Sequence, residues 1–265
     1  MFDQLIKVVI LGLIQGLTEW LPISSSGHLI VIEYFLGLAT TPLFGIILHI
    51  GTLIVVVSFF RKEVKSILLA LIHLDFKSKY GRLIPLIIAG TIPTAVIGLV
   101  YTKFLEDNLS GILPIGITFL IGATIVYASK LGNENRDSIT YPMVLLMGTA
   151  QGFAAFHGLS RSGATISIAL LLGLRREKAF KVSFLLSIPA ILGDFLVEFY
   201  KERGQIVFSV LGWGDLLVGV AVAMIVGYTT LKLLSKIVAS RRFHYFAFYT
   251  WLLGATIIIL TLSGF

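Results

Sequence analysis

Residues 15–28 read QGLTEWLPISSSGH and interrupt an apolar region that extends over 4–38. Gln15 and Glu19 are four positions apart, so both side chains point from one face of the helix that leads into the interruption. Pro22 ends that helix, and three hydroxyls, a glycine and a histidine follow at the start of the next one. Irregular backbone at membrane depth is tolerated only where protein or water surrounds it. We therefore predict a helix–loop–helix hairpin that enters the membrane and returns to the same side.

A second apolar region, 141–174, is interrupted in the same way, because residues 157–165 read HGLSRSGAT. The two regions align without gaps at an offset of 136 residues, and eleven of the twenty-seven positions in 12–38 are identical. Gly, Gln and Ser shared at matched spacing are a stronger signal than shared apolar residues, and internal duplication is a frequent membrane architecture. We expect a single integral membrane domain over the whole chain, built from two repeats of approximately 1–130 and 131–265.

The composition is that of a membrane protein. Only 13% of the 265 residues are charged, 57% are hydrophobic and the mean hydropathy is +0.96, whereas a soluble domain carries about 25% charged residues. These values exclude a cytosolic enzyme, a nucleic-acid module and a disordered chain, and the lack of cysteine excludes thiolate chemistry. Six further runs, each apolar over the ~20 residues that span a bilayer, lie at 43–60, 83–101, 113–129, 182–200, 211–234 and 245–263. The expected fold is an all-α polytopic membrane protein with six transmembrane helices plus two re-entrant helix–loop–helix hairpins in an inverted-topology repeat.

The basic residues predict the orientation. Sixteen of the twenty-one Lys and Arg residues lie in four segments, 61–82, 130–136, 175–181 and 232–242. If six spans alternate, these segments share one side, and the positive-inside rule places that side in the cytoplasm. The turn at 39–42 is uncharged, whereas its counterpart begins with Arg175 and Arg176. The repeats are therefore predicted to be inverted, with their tips meeting near the midplane, and the pI of about 9.6 reflects membrane-flanking cations rather than nucleic-acid binding.

Both tips have the chemistry of an anion site. A helix start with free N–H groups and neighbouring hydroxyls binds anions, and Arg161 adds a planar fork that suits phosphate. Each serine alone is more often an interhelical contact or a cap, and His28 alone is as often a core residue. An arginine at membrane depth, however, is costly and usually functional. We interpret His49 as a packing residue and leave Asp194 and Glu198 open between a cavity lining and a helix end.

These tips resemble the undecaprenyl-pyrophosphate phosphatase family, the membrane enzymes associated with bacitracin resistance. The family pattern is an acidic pair four residues apart, then Leu-Pro-x-Ser-Ser-x-Gly-His and, far downstream, Gly-x-Ser-Arg-Ser-Gly-x-Thr. Here the pattern falls on Gln15 and Glu19, on 21–28 and on 158–165. The resemblance implies hydrolysis of undecaprenyl (polyprenyl) pyrophosphate to the monophosphate and inorganic phosphate, which recycles the lipid carrier for cell-wall glycan synthesis. It also implies a multi-pass protein of the cell membrane with an active site open to the outer face.

The resemblance implies roles for individual residues. The expected catalytic residues are Glu19, Ser25, His28 and Arg161, and the expected substrate-binding residues are Gln15, Ser24, Ser26, Ser160, Ser162, Gly163 and Thr165. Ser25 stands at the family's nucleophile position, and His28, one helical turn away, would take its proton or protonate the leaving phosphate. Attack by water or by His28 is the alternative. Glu19 would orient His28 or bind a divalent cation, Mg²⁺ or Ca²⁺, bridged to the pyrophosphate.

Two positions depart from the family pattern. Gln15 replaces an acid, so it offers a carbonyl oxygen but no negative charge, and His157 stands where the family often has proline. Such variation fits a divergent member, an archaeal relative with a dolichol-type carrier, or a changed activity.

The main alternative from another class is a transporter or flippase for polyprenyl phosphate or another lipid phosphate, because inverted repeats with broken helices are transporter architecture. An unrelated lipid phosphatase with a histidine nucleophile would need histidine where Ser167 stands, six residues after Arg161, and is not expected. The expected partners are the polyprenyl pyrophosphate lipid and the membrane, with no nucleic acid and with a homodimer as an allowed assembly.

Overall fold

The computed structural model describes residues 2–36, 42–202 and 213–263 of the chain. The regular elements of these segments are helical, and the strand-like pairing found within them is an isolated bridge between Arg136 and Leu174. The α-helices are α1 (Phe2–Thr18), α2 (Ser25–Leu36), α3 (Pro42–Phe59), α4 (Arg61–Ile72), α5 (Leu83–Phe104), α6 (Glu106–Leu109), α7 (Ile112–Ala128), α8 (Tyr141–Phe153), α9 (Arg161–Leu171), α10 (Arg176–Glu202), α11 (Trp213–Ala239) and α12 (Phe246–Leu262).

Within the described segments, five helices are long and apolar enough to cross a membrane, namely α5, α7, α10, α11 and α12. They coincide with five of the predicted spans, and α10 and α11 extend further because their helices continue into flanking basic residues. The predicted span 43–60 corresponds to α3, whose apolar part Ile47–Phe59 is shorter. Residues 39–41 of the predicted neutral turn and 211–212 of one predicted span lie outside the described residues. The fold is that of a polytopic helical membrane protein.

Each interrupted region forms two helices with an irregular break between them, as predicted. The first break, 19–24, separates α1 from α2, and the second, 154–160, separates α8 from α9. Pro22 predicts the end of the first helix, but α1 already ends at Thr18. The Glu19 N–H still bonds to the Gln15 carbonyl at 2.9 Å, so the helical geometry that places both side chains on one face continues through Glu19.

The helices pack in pairs that follow the 136-residue offset. α1 packs along α11, and α8 packs along α5, its counterpart pair at that offset. Glycines permit the close approach, because a Cβ atom at Gly12 would lie 2.6 Å from the Gly219 carbonyl oxygen and one at Gly148 would overlap the Gly90 carbonyl oxygen. The pairs α7–α12 and α3–α10 each join a helix to its counterpart in the other repeat. Small residues that bring backbones together are typical of helix association in membranes, and here they interlock the two halves.

Gly148→Ala is expected to lower the free energy of unfolding by about 1–3 kcal/mol, because the added methyl group would force α5 and α8 apart. The thermal unfolding midpoint in detergent measures the change. Gly214→Ala, in α11, is the matched control, since no heavy atom of the described residues lies within 4 Å of its Cβ position. Equal midpoints for the two variants would contradict the close contact between α5 and α8.

Two basic segments predicted as connections form ordered structure. The segment 61–82 begins with the helix α4. On the same predicted side, the Arg136 N–H donates to the Gly173 carbonyl at 2.8 Å. The Lys178 ammonium donates to the Asp137 carboxylate at 2.9 Å and holds the pKa of that carboxyl below its usual range. These contacts fix the point where the second hairpin leads into α10.

Candidate active site

The two tips are built as the same capped helix start. The Ser24 hydroxyl precedes α2 and accepts a hydrogen bond from the Gly27 N–H at 3.4 Å, and the Ser160 hydroxyl precedes α9 and accepts one from the Gly163 N–H at 3.1 Å. A serine at this position satisfies one of the N–H groups that a helix start leaves free. The duplicated Ser-x-Ser-Gly sequence therefore specifies two equivalent helix N-termini.

Each of these helix starts keeps unpaired donors. The N–H groups of Ser25 and Ser26 on α2, and of Arg161 and Ser162 on α9, have no acceptor among the described residues. Ser25 and Arg161 are the first residues of their helices and occupy the same position in the two repeats. The positive ends of two helix dipoles thus lie at the tips, an arrangement that favours anions.

Direct hydrogen bonds hold the tips against each other. The Ser162 hydroxyl donates to the Trp20 carbonyl at 2.9 Å, and the Gly158 N–H donates to the Ser24 hydroxyl at 3.2 Å. Ser24 has a φ of 67°, in the left-handed region. This conformation costs a non-glycine residue on the order of 1 kcal/mol and persists only where the surroundings fix it. Here the facing tip supplies one of the hydrogen bonds that fix it.

Glu19 is the centre of the polar cluster. Its Oε2 atom accepts hydrogen bonds from the Ser25 hydroxyl at 2.6 Å and from Gln15 Nε2 at 3.0 Å, and its Oε1 atom accepts from the Arg161 guanidinium. His49 Nδ1 lies 3.6 Å from Oε2. The Glu19 side chain is only 2% exposed. A buried carboxylate is stable only when it is paired and hydrogen-bonded, and Arg161 from the other repeat supplies the pairing charge.

His28 contacts a different set of atoms from those predicted. Its Nδ1 atom lies 2.7 Å from the Ser24 carbonyl oxygen, and because a carbonyl only accepts, this nitrogen carries a proton. In the neutral ring, Nε2 then accepts from the Tyr249 hydroxyl at 2.8 Å, and the two rings stack. Among the described residues, the hydrogen-bond partner of the Ser25 hydroxyl is therefore Glu19 and not His28.

A cavity of about 650 Å³ extends from the tips between α5 and α10. The predicted site residues that line it are Glu19, Ser24, Ser25, Ser26, Ser160 and Arg161. The predicted residues Gln15, His28, Ser162, Gly163 and Thr165 lie behind this lining. There Thr165 donates to the Arg161 carbonyl at 2.9 Å, and Gly163 allows close contact with Pro22 of the other tip.

Three polar residues join the cluster from helices outside the tips. His49 on α3 lies 3.4 Å from Gln15 Nε2, although the sequence favoured a packing role for it. Asp194 on α10, left open above, lines the cavity with its carboxylate 4.0 Å from Arg161. Tyr249 on α12 bonds to His28. The sequence shows Tyr249 only as a polar side chain within an apolar span, with no sign of its partner. These contacts join positions far apart along the chain.

Together these features define a polytopic helical membrane protein in which two repeat-related helix starts, one arginine and one buried carboxylate meet at one end of a cavity. Comparison with known proteins agrees with this class. The chain belongs to the family of the bacitracin resistance protein BacA, which matches residues 8–256.

Full-length relatives support the assignment. The chain is 40% identical to an undecaprenyl-diphosphatase of Carboxydothermus hydrogenoformans and 39% identical to one of Halothermothrix orenii, in each case over 97% of this chain and 98% of the relative. It is 38% identical to undecaprenyl-diphosphatase 3 of Bacillus cereus over 96% of both chains. The family resemblance seen in the tip motifs is thus confirmed along nearly the whole sequence.

Proposed function

We propose that this chain hydrolyses undecaprenyl pyrophosphate, or a polyprenyl pyrophosphate of the same class, to the monophosphate and inorganic phosphate. The observation that carries the proposal is the Glu19 carboxylate, which lies between the Ser25 hydroxyl and the Arg161 guanidinium where the two helix starts meet. In these roles Ser25 would be the nucleophile, Glu19 the proton acceptor and Arg161 the anion-binding group, and all three line one cavity. Family membership and the names of the full-length relatives support the same reaction.

The two helix starts suit the two phosphoryl groups of the substrate head. The terminal phosphoryl group would bind at the start of α2, beside Ser25, and the phosphoryl group that carries the lipid would bind at the start of α9. The free N–H groups of both helices, the Ser160 hydroxyl and the Arg161 fork would hold their oxygens. The same donors would stabilise the charge of the transition state.

The first chemical step would be attack by the Ser25 oxygen on the terminal phosphorus. The Ser25 proton passes to Glu19, whose Oε2 atom already accepts it in a hydrogen bond. The bond from phosphorus to the bridging oxygen breaks, and the polyprenyl monophosphate leaves with that oxygen and its electron pair. Ser25 then carries the phosphoryl group.

The second step would release inorganic phosphate. Water attacks the phosphoseryl phosphorus, the bond to the Ser25 oxygen breaks, Glu19 returns its proton to that oxygen, and the proton that the water loses passes to the solvent. Glu19 serves this step as well, because an acid that has received a proton in the first step can return it in the second. His28, bonded to Ser24 and Tyr249, would hold the first tip in position.

A divalent cation, Mg²⁺ or Ca²⁺, is part of the proposal. The described residues contain no cluster of three or more His, Asp or Glu side chains that would hold a metal alone. Gln15, however, bonds to Glu19 through its amide nitrogen, and its buried Oε1 atom has no hydrogen-bond partner among the described residues. These two side chains would supply oxygen ligands and the substrate phosphates the rest, as is usual for magnesium. The bound ion would neutralise part of the pyrophosphate charge.

Chelation is expected to lower phosphate release at least about tenfold, with recovery when Mg²⁺ or Ca²⁺ is added back. Gln15→Glu should lower the cation concentration for half-maximal activity about tenfold, because a second carboxylate strengthens the site. Initial rates over a titration of cation measure both effects. Identical titration curves for Gln15→Glu and the wild type would contradict a cation at Glu19 and Gln15.

We propose the finer topology of the sequence prediction as well: six spans including α3, and two re-entrant hairpins in inverted repeats of 1–130 and 131–265. The packing of α1–α11 and α8–α5 as equivalent pairs supports a duplicated architecture. Location in the cell membrane, a cavity open to the outer face and a homodimer stay predictions.

Phosphate release from undecaprenyl pyrophosphate by the purified protein in detergent tests the function. Release above the rate of an Arg161→Ala variant is the expected result. If folded protein released none, the transporter alternative would be tested next with vesicles that contain a polyprenyl phosphate.

A further inference from the structure

The cavity offers more room than a pyrophosphate head needs. Its volume of about 650 Å³ falls within the roughly 300–1,000 Å³ of pockets that enclose a drug-sized ligand, and the head alone is far smaller. The space beyond the tips lies between α5 and α10. If the protein acts on a lipid pyrophosphate, this space is where the head joins its tail.

Small side chains form part of the walls of this space, beside larger apolar residues and the carboxylates of Glu106, Asp194 and Glu198. On α5 the lining residues recur every three or four positions, so they form one face of the helix; they include Thr91, Thr94, Ala95 and Gly98. On α10 they include Ala190 and Gly193. Next to them, Leu99 and Leu196 line the cavity and are also exposed at the surface. The cleft therefore leads from the polar tips to apolar side chains that face the membrane.

Gly98 and Gly193 differ from the glycines that join the helices. For each of them, no heavy atom of the described residues lies within 4 Å of the Cβ position, whereas a Cβ atom at Gly12 would clash with a neighbouring backbone. Glycine inside a helix costs roughly 1 kcal/mol relative to alanine. Neither close packing nor a left-handed φ explains that cost at Gly98 or Gly193. The cavity is wider because Gly98 and Gly193 have no side chains.

A second observation points to an occupant of the cleft. Tyr101, on the same wall of α5, is 2% exposed and lines the cavity, but its hydroxyl has no hydrogen-bond partner among the described residues. A buried polar group without a partner costs about 1–3 kcal/mol. A bound water or an oxygen of the substrate head would complete this group, since an isoprene chain has no hydrogen-bond acceptor.

We propose that Gly98 and Gly193 form the passage through which the first isoprene units of the substrate leave the cavity between α5 and α10, and that they set which lipid chains fit. This inference rests on the proposed function and adds to it the residues that select the tail. The tips bind the pyrophosphate head. The part of the lipid tail next to the head lies in the cleft, where Gly98 and Gly193 leave room for it.

The kinetic test compares two substrates. Gly98→Leu and Gly193→Leu are expected to lower kcat/KM for undecaprenyl pyrophosphate at least about tenfold, because added methylenes in an apolar passage exclude a fitted chain. With inorganic pyrophosphate, which has no isoprene unit to enter the passage, kcat/KM should change less than about twofold. Gly214→Leu, in α11 and outside the cavity lining, is the control for both substrates. Wild-type values for both cleft variants with the long substrate would overturn the proposal.

A labelling test is independent of turnover. Because the chain has no cysteine, Gly98→Cys, Gly193→Cys and Gly214→Cys each introduce a single thiol for reaction with a maleimide. Undecaprenyl monophosphate should slow labelling at the first two positions at least about tenfold, whereas inorganic phosphate should not and the third position should respond to neither. Unchanged labelling, or equal protection by inorganic phosphate, would overturn the passage. A wild type that releases no phosphate would instead refute the proposed function, and the two failures are thereby distinguished.

Discussion

Arg161→Lys is expected to lower kcat/KM for undecaprenyl pyrophosphate at least about a hundredfold, the usual effect of removing one transition-state donor. Lysine keeps the positive charge and can still pair with Glu19, so the buried carboxylate stays neutralised. It lacks the planar fork that binds two phosphate oxygens at once. Rates of phosphate release, together with the thermal unfolding midpoint, separate a catalytic loss from unfolding.

Lysine is more informative than alanine at this position. Arg161→Ala leaves the 2%-exposed Glu19 side chain without its charge partner, and breaking a buried pair destabilises by about 3–5 kcal/mol. Arg175→Lys is the matched control, because Arg175 forms an exposed ion pair with Asp137 on the predicted cytoplasmic side. If Arg161→Lys kept activity within a few-fold of Arg175→Lys, a point charge would be sufficient and the bidentate role would be wrong.

Ser25→Ala is expected to lower kcat at least about a thousandfold with little change in KM, since a nucleophile acts in the transition state while the helix start and Arg161 still bind the head. The substitution removes the hydroxyl that donates to Glu19 at 2.6 Å. Rapid acid quenching with a substrate labelled in the terminal phosphate should trap the label as acid-stable phosphoserine at Ser25 in the wild type only.

The control for this prediction is Ser66→Ala on α4, where the hydroxyl donates to the Lys62 carbonyl within the same helix. It should keep wild-type rates. Full activity in Ser25→Ala would refute the covalent serine step and leave attack by water or by His28. A label on the His28 ring instead, recovered after an alkaline quench because phosphohistidine is acid-labile, would identify the second of these.

The tips were predictable because local chemistry specifies them. A serine before a helix caps it wherever it lies, so Ser24 and Ser160 could be placed from sequence, and Glu19 could be placed on one face with Gln15. Arg161 was singled out because a charge at membrane depth needs a reason. Polar clusters inside apolar sequence predict the two breaks, and the length of the apolar runs predicts the positions of the long helices.

The partners of these residues were not predictable in the same way. Glu19 meets Ser25 and Arg161 only because the tips face each other across the repeat. His49, Tyr249 and Asp194 reach the cluster from three other helices, and a single sequence contains no signal for such long-range contacts. The prediction of His28 as the partner of Ser25 followed helical spacing, whereas the His28 ring bonds instead to Tyr249 on α12.

The equivalence of Ser25 and Arg161 in the two repeats has a consequence for regiochemistry. A pyrophosphate head has two similar phosphoryl groups, and the two helix starts form a binding site with two similar halves. The side chains at the first helical positions, a hydroxyl in one repeat and a guanidinium in the other, distinguish the two halves, as does Glu19, whose counterpart is Ala155. A lipid tail that leaves between α5 and α10 fixes which phosphorus lies beside the hydroxyl. Cleavage at the terminal phosphorus yields a lipid monophosphate that is ready for reuse. A reversed head would place the lipid-bearing phosphorus beside Ser25 instead.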